Sequence, residues 1–583
     1  MKNVYLSYIK KYGGYTGAVT LISALIMWIM PSVEVYVVAK FIDAVVHAGD
    51  GGIDRVLSAA ILIAVVYFVQ YMIKMLNELY TAKLELILSS EFEKNMIIKR
   101  NQIKYSVFDN SDNYELISRV CADEEEQNML WSGYSAMMAL IKYIVEIISV
   151  VSLIIVKDLF VGILVGAMIL FVIPLAYKCG QEDYDAYENA NKLRIKAQFF
   201  RKYLADREYL CDRYHYQYTE YVNAKWRDNF VDAIECSRQA TKRNYMRLKI
   251  SSAITAVISA LVALLMLRTI RSGQITLGIY ISVVGYICGL VHTMSWQMGN
   301  IVEEFIRSGE YNKDYIRFER LAVNSNNNSE TVRDITSINR IEFKNVTFSY
   351  DENKKILDEF SYVFTKNKKY ALVGINGAGK STIVKLILKF YDNYEGQILI
   401  NDVELRDIPQ DILYKHLSVV FQNYAKYEIS FREHLNISVK NDDIMDDESV
   451  QEILKQVQLD GVIDDADSNI GKLWEDNRDL SGGQWQKVAI ARALAGKTDV
   501  CILDEPTASI DPISEKRLYE LFTYLFKNSM NIMISHRLYS TKNADEIVVL
   551  SDGKVKESGT YDELIKLNGL YADMYETQRS WYL

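Results

Sequence analysis

The 583-residue chain has no excess of positive charge: 66 Lys and Arg stand against 75 Asp and Glu, for a net charge of −9. A basic nucleic-acid surface has no support, and no nucleic-acid partner is expected. Paired cysteines are also missing. Cys121, Cys179, Cys211, Cys236, Cys288 and Cys501 form no CxxC pair, and no spacing suggests zinc or a disulfide framework. They read as reduced structural thiols. No internal repeat is present in either half. Proline is absent from two long charged stretches, residues 74–135 and 177–252, so no proline interrupts a helix there.

What is present divides unevenly. Hydrophobic residues make up 50% of the chain, but the long apolar runs lie in the first half. Six of them, near 15–42, 56–75, 136–156, 159–176, 253–267 and 277–298, approach the roughly 20 residues that cross a bilayer. The fifth is short as bounded and should extend upstream. The first is too long for a signal-peptide core and reads as retained. The connecting stretches 43–55, 157–158 and 268–276 are short, whereas 74–135 and 177–252 are long and rich in Lys and Arg. The positive-inside rule places the long stretches in the cytoplasm, with Arg268 and Arg271 weakly against it. Their alternation of charged and apolar residues predicts helices running on beyond the membrane.

The polar run "NSNNNSE" at 324–330 reads as a linker. The expected division is a six-span helical domain over 1–323, a linker over 324–339, and an α/β domain over 340–583 with a helical tail. From Arg340, short β-rich runs such as "RIEFKNVTFSY", "KYALVGI", "VCILDE" and "NIMISH" alternate with helical patterns, which predicts a largely parallel sheet.

Within it, "GINGAGKS" places Gly374, Gly379, Lys380 and Ser381 between a strand and a helix, the context a phosphate loop requires. Glycines admit phosphate to backbone amides, Lys380 can reach the β- and γ-phosphates, and the Ser381 hydroxyl can ligate Mg²⁺. "DVCILDEP" is an apolar strand ending in Asp504 and Glu505. Strand ends of a parallel sheet face the ligand crevice, so Asp504 can hold Mg²⁺ through water and Glu505 can polarise the attacking water.

These motifs, with Gln422 in "VVFQNY", Leu480–Gln484 in "LSGGQ", Ser509–Asp511 and His536 in "ISHR", resemble the nucleotide-binding domain of ABC transporters in order and spacing. The resemblance implies the following roles. ATP and Mg²⁺ are the cofactors. The nucleotide is held by Tyr350, Gly374, Asn376, Gly377, Ala378, Gly379, Lys380, Ser381, Thr382, Gln422, Asp504 and His536. Tyr350 stacks on adenine. The metal sits on Ser381, Gln422 and Asp504, and Glu505, His536, Gln422 and Lys380 serve catalysis. Such domains pair head to tail, so Ser481, Gly482, Gly483, Gln484 and Asp511 face the site of a second chain. Mild departures are Ile510 where leucine is commoner and Asn477 where glycine is usual, although Glu475 is kept.

Six spans followed by one such domain resemble the exporter architecture. That implies a multi-domain fold: an all-α six-helix transmembrane domain, then an α/β P-loop nucleotide-binding domain. It also implies a multi-pass protein of the cytoplasmic membrane whose nucleotide-binding domain faces the cytoplasm. Its partners are the lipid bilayer and a second half-transporter, identical or related. One coupling helix is expected near 109–115 and another within 204–216. "VVFQNYAKYEISFREHLNIS" and "LSGGQWQKVAIARAL" are similar to bacterial lantibiotic and peptide exporters, which implies ATP-driven export of a peptide or other amphipathic molecule. A lipid flippase, a multidrug exporter or a siderophore importer uses the same fold, and an ATP-switched regulator that transports nothing is the other class. Glu34, Lys142 and Glu146 are charged residues inside spans, where charge is costly and often functional.

Overall fold

The computed structural model describes residues 4–47, 52–121, 129–157, 163, 189–190, 192–206, 209–273, 275–323, 335–351, 354–439, 445–471, 479–504, 520–535 and 537–580. Two units emerge. The first comprises Met1–Ile103 and Asn110–Ala322; the second comprises Lys104–Asp109 and Val323–Leu583.

Long helices make up the first unit: α1 (Gly14–Val46), α2 (Ile53–Gln102), α3 (Met129–Lys157), α4 (Thr219–Arg271) and α5 (Leu277–Glu319). Five of the six apolar runs fall on them; most of 159–176 lies outside the described residues. Helix α2 continues to Gln102 and α4 begins at Thr219, so both run well past their apolar parts. Among the described residues, Leu6–Val46 and Ile53–Gln102 are each long and apolar enough to cross a membrane. The outer face of the second carries exposed Ile61, Phe68 and Tyr71, with Phe68 65% exposed. Helices satisfy their own backbone groups, so such a surface suits lipid rather than water.

Small cores hold these helices together. Val35 of α1, Val262 and Met266 of α4, and Val283 and Ile287 of α5 form one cluster. Tyr143 and Ile147 of α3 pack with Val302 of α5. At the start of α5, the Gly278 amide donates to Asp43 Oδ1 at 2.8 Å. A Cβ on Gly278 would lie 2.1 Å from the Ala39 carbonyl oxygen, so only glycine allows this approach.

The second unit has two sheets. The four-stranded sheet orders β2 (Lys355–Thr365), β1 (Arg340–Ser349), β4 (Glu395–Ile400) and β5 (Val403–Glu404), all antiparallel. The six-stranded sheet orders β10 (Lys554–Gly559), β9 (Glu546–Ser551), β3 (Lys369–Gly374), β8 (Met530–Ile534), β7 (Val500–Asp504) and β6 (Leu417–Val420). It is parallel except for β10. Strands buried on both faces read as unbroken apolar runs, and Ala371, Leu372, Ile502, Leu503, Ile532 and Ile534 are all buried. The main core joins Phe343, Phe348, Phe360 and Phe364 to Leu372, Ile383 and Ile534. The helices Tyr561–Leu567 and Leu570–Arg579 close the chain against β9 through Tyr571 and Leu564.

Candidate nucleotide site

Strand register assembles the site. Leu372 of β3 pairs with Ile534 of β8, and Ile534 pairs with Asp504 of β7. Leu503 pairs in turn with Val420 of β6. Four parallel strands therefore end at one edge, where Gly374, Val420, Asp504 and Ile534 lead into Gln422, the glycine loop and Ser535. Open α/β sheets place ligands at this edge. Glu505 and His536 directly follow Asp504 and Ser535 in the chain. Those two residues and Asp511 lie outside the described residues, as do Ser509, Ile510, Glu475 and Asn477.

The glycine loop runs from β3 into helix α6 (Lys380–Ile387). Gly377 has φ +84° and Gly379 φ +99°. At Gly379 a Cβ would lie 2.7 Å from Leu357 Cδ2; at Gly377 it meets nothing within 4 Å. Gly379 thus turns the chain into the helix tightly, while Gly377 leaves open space beside exposed Asn376. Ala378 and Lys380 are buried, and Lys380 Nζ donates to the Gly374 and Ile375 carbonyl oxygens at 2.8 and 3.2 Å. Ser381 and Gln422 are exposed. Ser381, Gln422 and Asp504 supply hard oxygen donors, which suits Mg²⁺. Among the described residues, no group of three His, Cys, Asp or Glu could hold a metal by itself. A magnesium ion here would need oxygens from nucleotide and water, as is usual for that ion.

Tyr350 follows β1 and lies beside α6: its hydroxyl is 3.1 Å from Thr382 Oγ1, and Lys385 Nζ lies 5.2 Å from its ring centroid. The ring is 39% exposed and meets Phe348 and Tyr391 edge-on, at 5.0 and 5.2 Å.

Lys385 has more neighbours than sequence reasoning anticipated. Its Nζ lies 5.8 Å from the Tyr105 ring, 5.9 Å from the Tyr391 ring and 4.0 Å from Asp109 Oδ2. Tyr105 stacks on Phe390 at 4.2 Å, Lys104 Nζ lies 2.6 Å from Asp392 Oδ2, and the Tyr391 hydroxyl donates to Asp109. Burial and this carboxylate push the Tyr391 phenol up, so it stays a donor. Residues 104–109, which include the short helix Tyr105–Phe108, thus belong to the second unit. The helix Ser111–Val120 belongs instead to the first unit, where Arg119 Nε lies 3.3 Å from Asp314 Oδ2. The contact falls a few residues before the expected 109–115. In the 204–216 region, Leu210–Tyr216 is helical with no buried residue.

"LSGGQ" opens helix α8 (Gly482–Ala495). The Ser481 hydroxyl accepts from the Gln484 amide at 3.3 Å, and the Ser481 amide donates to Gln484 Oε1 at 2.8 Å. This reciprocal pair is a capping box, legible as Ser-x-x-Gln. It leaves Ser481 and Gly482 exposed while Trp485, Val488 and Ala489 are buried. Sequence reasoning missed what fastens this helix. The Tyr424 hydroxyl donates to the Gly482 carbonyl at 3.0 Å, and Arg492 donates to the Ala425 carbonyl at 2.9 Å. His434 in helix α7 (Phe431–Asn436) is fully buried; it bonds the Tyr427 carbonyl at 2.9 Å and meets Trp485 edge-on at 5.8 Å. Burial holds the imidazole down to about 4, so it is neutral at physiological pH. The loop after Gln422 and the start of α8 therefore form one block.

A phosphate loop on a parallel sheet, an acidic strand end and a capped Ser-Gly-Gly-Gln helix define an ABC-type ATPase domain, joined here to a helical unit of exporter fold. Residues 357–508 match the ABC transporter family, so the second unit is an ABC transporter ATP-binding domain. The whole chain is similar to the subtilin transport ATP-binding protein of Bacillus subtilis, 26% identical over 95% of this chain and 90% of that protein. It is likewise similar to the nisin transport ATP-binding protein of Lactococcus lactis subsp. lactis, 25% identical over 98% and 94%. A bacterial Atm1-family ABC exporter solved with ATP bound shares the fold: the TM-score is 0.72 at 21% identity, covering 96% of this chain and 98% of that one.

Proposed function

We propose that the chain is one half of an ATP-driven exporter of the cytoplasmic membrane, moving a peptide or other amphipathic molecule outward. The observation that carries this reading is a strand-end nucleotide edge in a chain whose other unit is a bundle of long, outwardly apolar helices. Relatives similar over nearly their whole length are named for transport of subtilin and nisin, both peptide products, which supports a peptide cargo.

The nucleotide's phosphates would lie over Gly374–Ser381, with Lys380 turning its ammonium from the loop carbonyls to the phosphates. Mg²⁺ bound there would neutralise developing phosphate charge, held by Ser381, Gln422 and Asp504. Glu505 would orient and polarise the attacking water, and His536 would contact the terminal phosphate. Ser481–Gln484, of which Ser481 and Gly482 are exposed, would meet the phosphates of a nucleotide held by a second copy or a related chain, with Asp511 positioning that opposing site. Each nucleotide then bridges two chains, and its hydrolysis releases the bridge. This supplies the two-state element a transport cycle needs.

Tyr350 would set affinity without doing chemistry. Stacking on a base contributes on the order of 1–3 kcal/mol. Tyr350→Ala is therefore expected to raise KM for ATP while kcat stays close to wild type. Tyr350→Phe keeps the ring and loses one hydrogen bond to Thr382, about 1 kcal/mol. Steady-state ATPase assays check this, and an unchanged KM in the alanine variant removes Tyr350 from the site.

Residues 104–109 would carry the nucleotide signal to the helices. Tyr105→Ala removes the stack on Phe390, and Asp109→Asn removes the charge near Lys385. Both are expected to hydrolyse ATP near the wild-type basal rate but to lose most ATP-driven uptake into inverted vesicles. Full transport by the double variant contradicts a coupling role.

The reading as a whole is tested with purified full-length protein in liposomes. MgATP hydrolysis with ATP-dependent accumulation of a lantibiotic-type peptide supports it. Absence of MgATP hydrolysis by the intact protein contradicts it.

A further inference from the structure

The helical unit has a partly open cavity of about 660 Å³ between α1, α2, α3 and α5. Ligand pockets fall in the range of about 300–1,000 Å³. Glu34, Lys142 and Glu146, far apart in sequence, all line it. Glu146 is 8% exposed and lies 3.8 Å from Lys142 Nζ. Glu34 accepts from the Tyr67 hydroxyl at 2.5 Å, and no ion pair to it is seen among the described residues. Two carboxylates thus face one ammonium, leaving an excess negative charge. The Tyr67 and Tyr286 rings supply aromatic wall. Ser282, 9% exposed, lines the same space, and its hydroxyl oxygen has no hydrogen-bond partner among the described residues.

Carboxylates inside a membrane bundle are costly and mark substrate paths by default. We infer that this cavity is a binding site for the cationic group of an amphipathic ligand: one ammonium, guanidinium or onium centre on an apolar body. Glu34 would take the positive charge, the tyrosine rings would support it by cation–π contact, and the Ser282 hydroxyl is available to a polar neighbour. An anionic headgroup would be repelled by both carboxylates. The inference rests on the transporter reading, because it names the class of cargo. A peptide side chain and a small organic molecule can each carry that cation, and the test separates the two.

The test uses full-length protein in phosphatidylcholine nanodiscs and radiolabelled tetraphenylphosphonium. Saturable binding is expected, and the size-matched anion tetraphenylborate should not displace it. Glu34→Gln keeps shape and removes charge, so binding should weaken roughly tenfold or more, with Glu146→Gln acting in the same direction. Gly285 lines the cavity and a Cβ there meets nothing within 4 Å, so Gly285→Leu has room and should obstruct binding. Each variant should keep wild-type basal ATP hydrolysis, which shows that it has folded. Displacement by an acetylated, amidated tripeptide with lysine between two leucines, but not by its norleucine counterpart, assigns the cation to a peptide; displacement by neither assigns it to small organic cations. Equal displacement by both peptides, wild-type binding by Glu34→Gln, or no saturable binding by wild type overturns the inference. Missing ATP hydrolysis by wild type overturns the transporter reading instead.

Discussion

Glu505→Gln is expected to slow ATP hydrolysis by about 100-fold or more while leaving ATP binding intact. Strand β7 ends at Asp504, level with Ile534 of β8, and β8 in turn lies beside β3, the strand that leads into the glycine loop. The next residue in the chain is Glu505. A carboxylate at that position can polarise a water attacking a phosphate held by Gly374–Ser381. Glutamine fills the same space without the charge, so activation of water falls while contacts to nucleotide persist. If two chains share each nucleotide, the variant should also accumulate as an ATP-bound dimer. Phosphate release and size-exclusion chromatography with MgATP measure the two effects. Wild-type turnover would remove Glu505 from the chemistry.

Ser481→Arg should abolish hydrolysis while each chain still binds nucleotide at its own glycine loop. The capping box makes a control necessary, because Ser481 also has a local duty. Losing an N-cap costs about 1 kcal/mol. Ser481→Ala should therefore lower stability by about that amount and keep part of the activity. Arginine places a bulky cation at an exposed helix start where glycines admit close approach, so its loss of turnover should far exceed the alanine loss. Mixing Ser481→Arg chains with Lys380→Ala chains sharpens the result. A mixed dimer has one composite site with both lesions and one with neither, so partial activity should return if the sites fire independently. Equal activities of the alanine and arginine variants would leave Ser481 with a capping role only.

Much of the nucleotide edge was legible because its chemistry needs fixed residue types at fixed places along the chain. Glycines at 377 and 379 answer positive φ, and Asp504 answers a strand end. The capping box is equally legible as Ser-x-x-Gln, and it overlaps the glycines that admit phosphate. Contacts made by Tyr424, Arg492 and His434 left no local signal; they exist because the loop after Gln422 folds back on α8. Lys385 is similar, since nothing in "STIVKLIL" announces that its ammonium meets three tyrosine rings. The coupling helix expected near 109–115 rests on the helical pattern of "NSDNYELISR", whereas nothing local marks residues 104–109 as part of the second unit. Glu34 and Glu146 could be noted as charged residues within spans but not brought together. Helices apolar on most faces give periodicity no direction, so their pairing is set by packing such as Gly278 against Ala39.

The shared-nucleotide arrangement is tested most directly by photochemical cross-linking in a dimer of two distinguishable chains. One chain carries a mass-shifting tag and Ser481→Arg; the other carries Lys380→Ala. A photoreactive γ-phosphate analogue of ATP is bound, irradiated and mapped by peptide mass. The composite-site account predicts label at Ser481–Gln484 of the Lys380→Ala chain, delivered by nucleotide bound at the intact glycine loop of its partner. Label confined to the glycine loop and the Ser481 region of one and the same chain would contradict it.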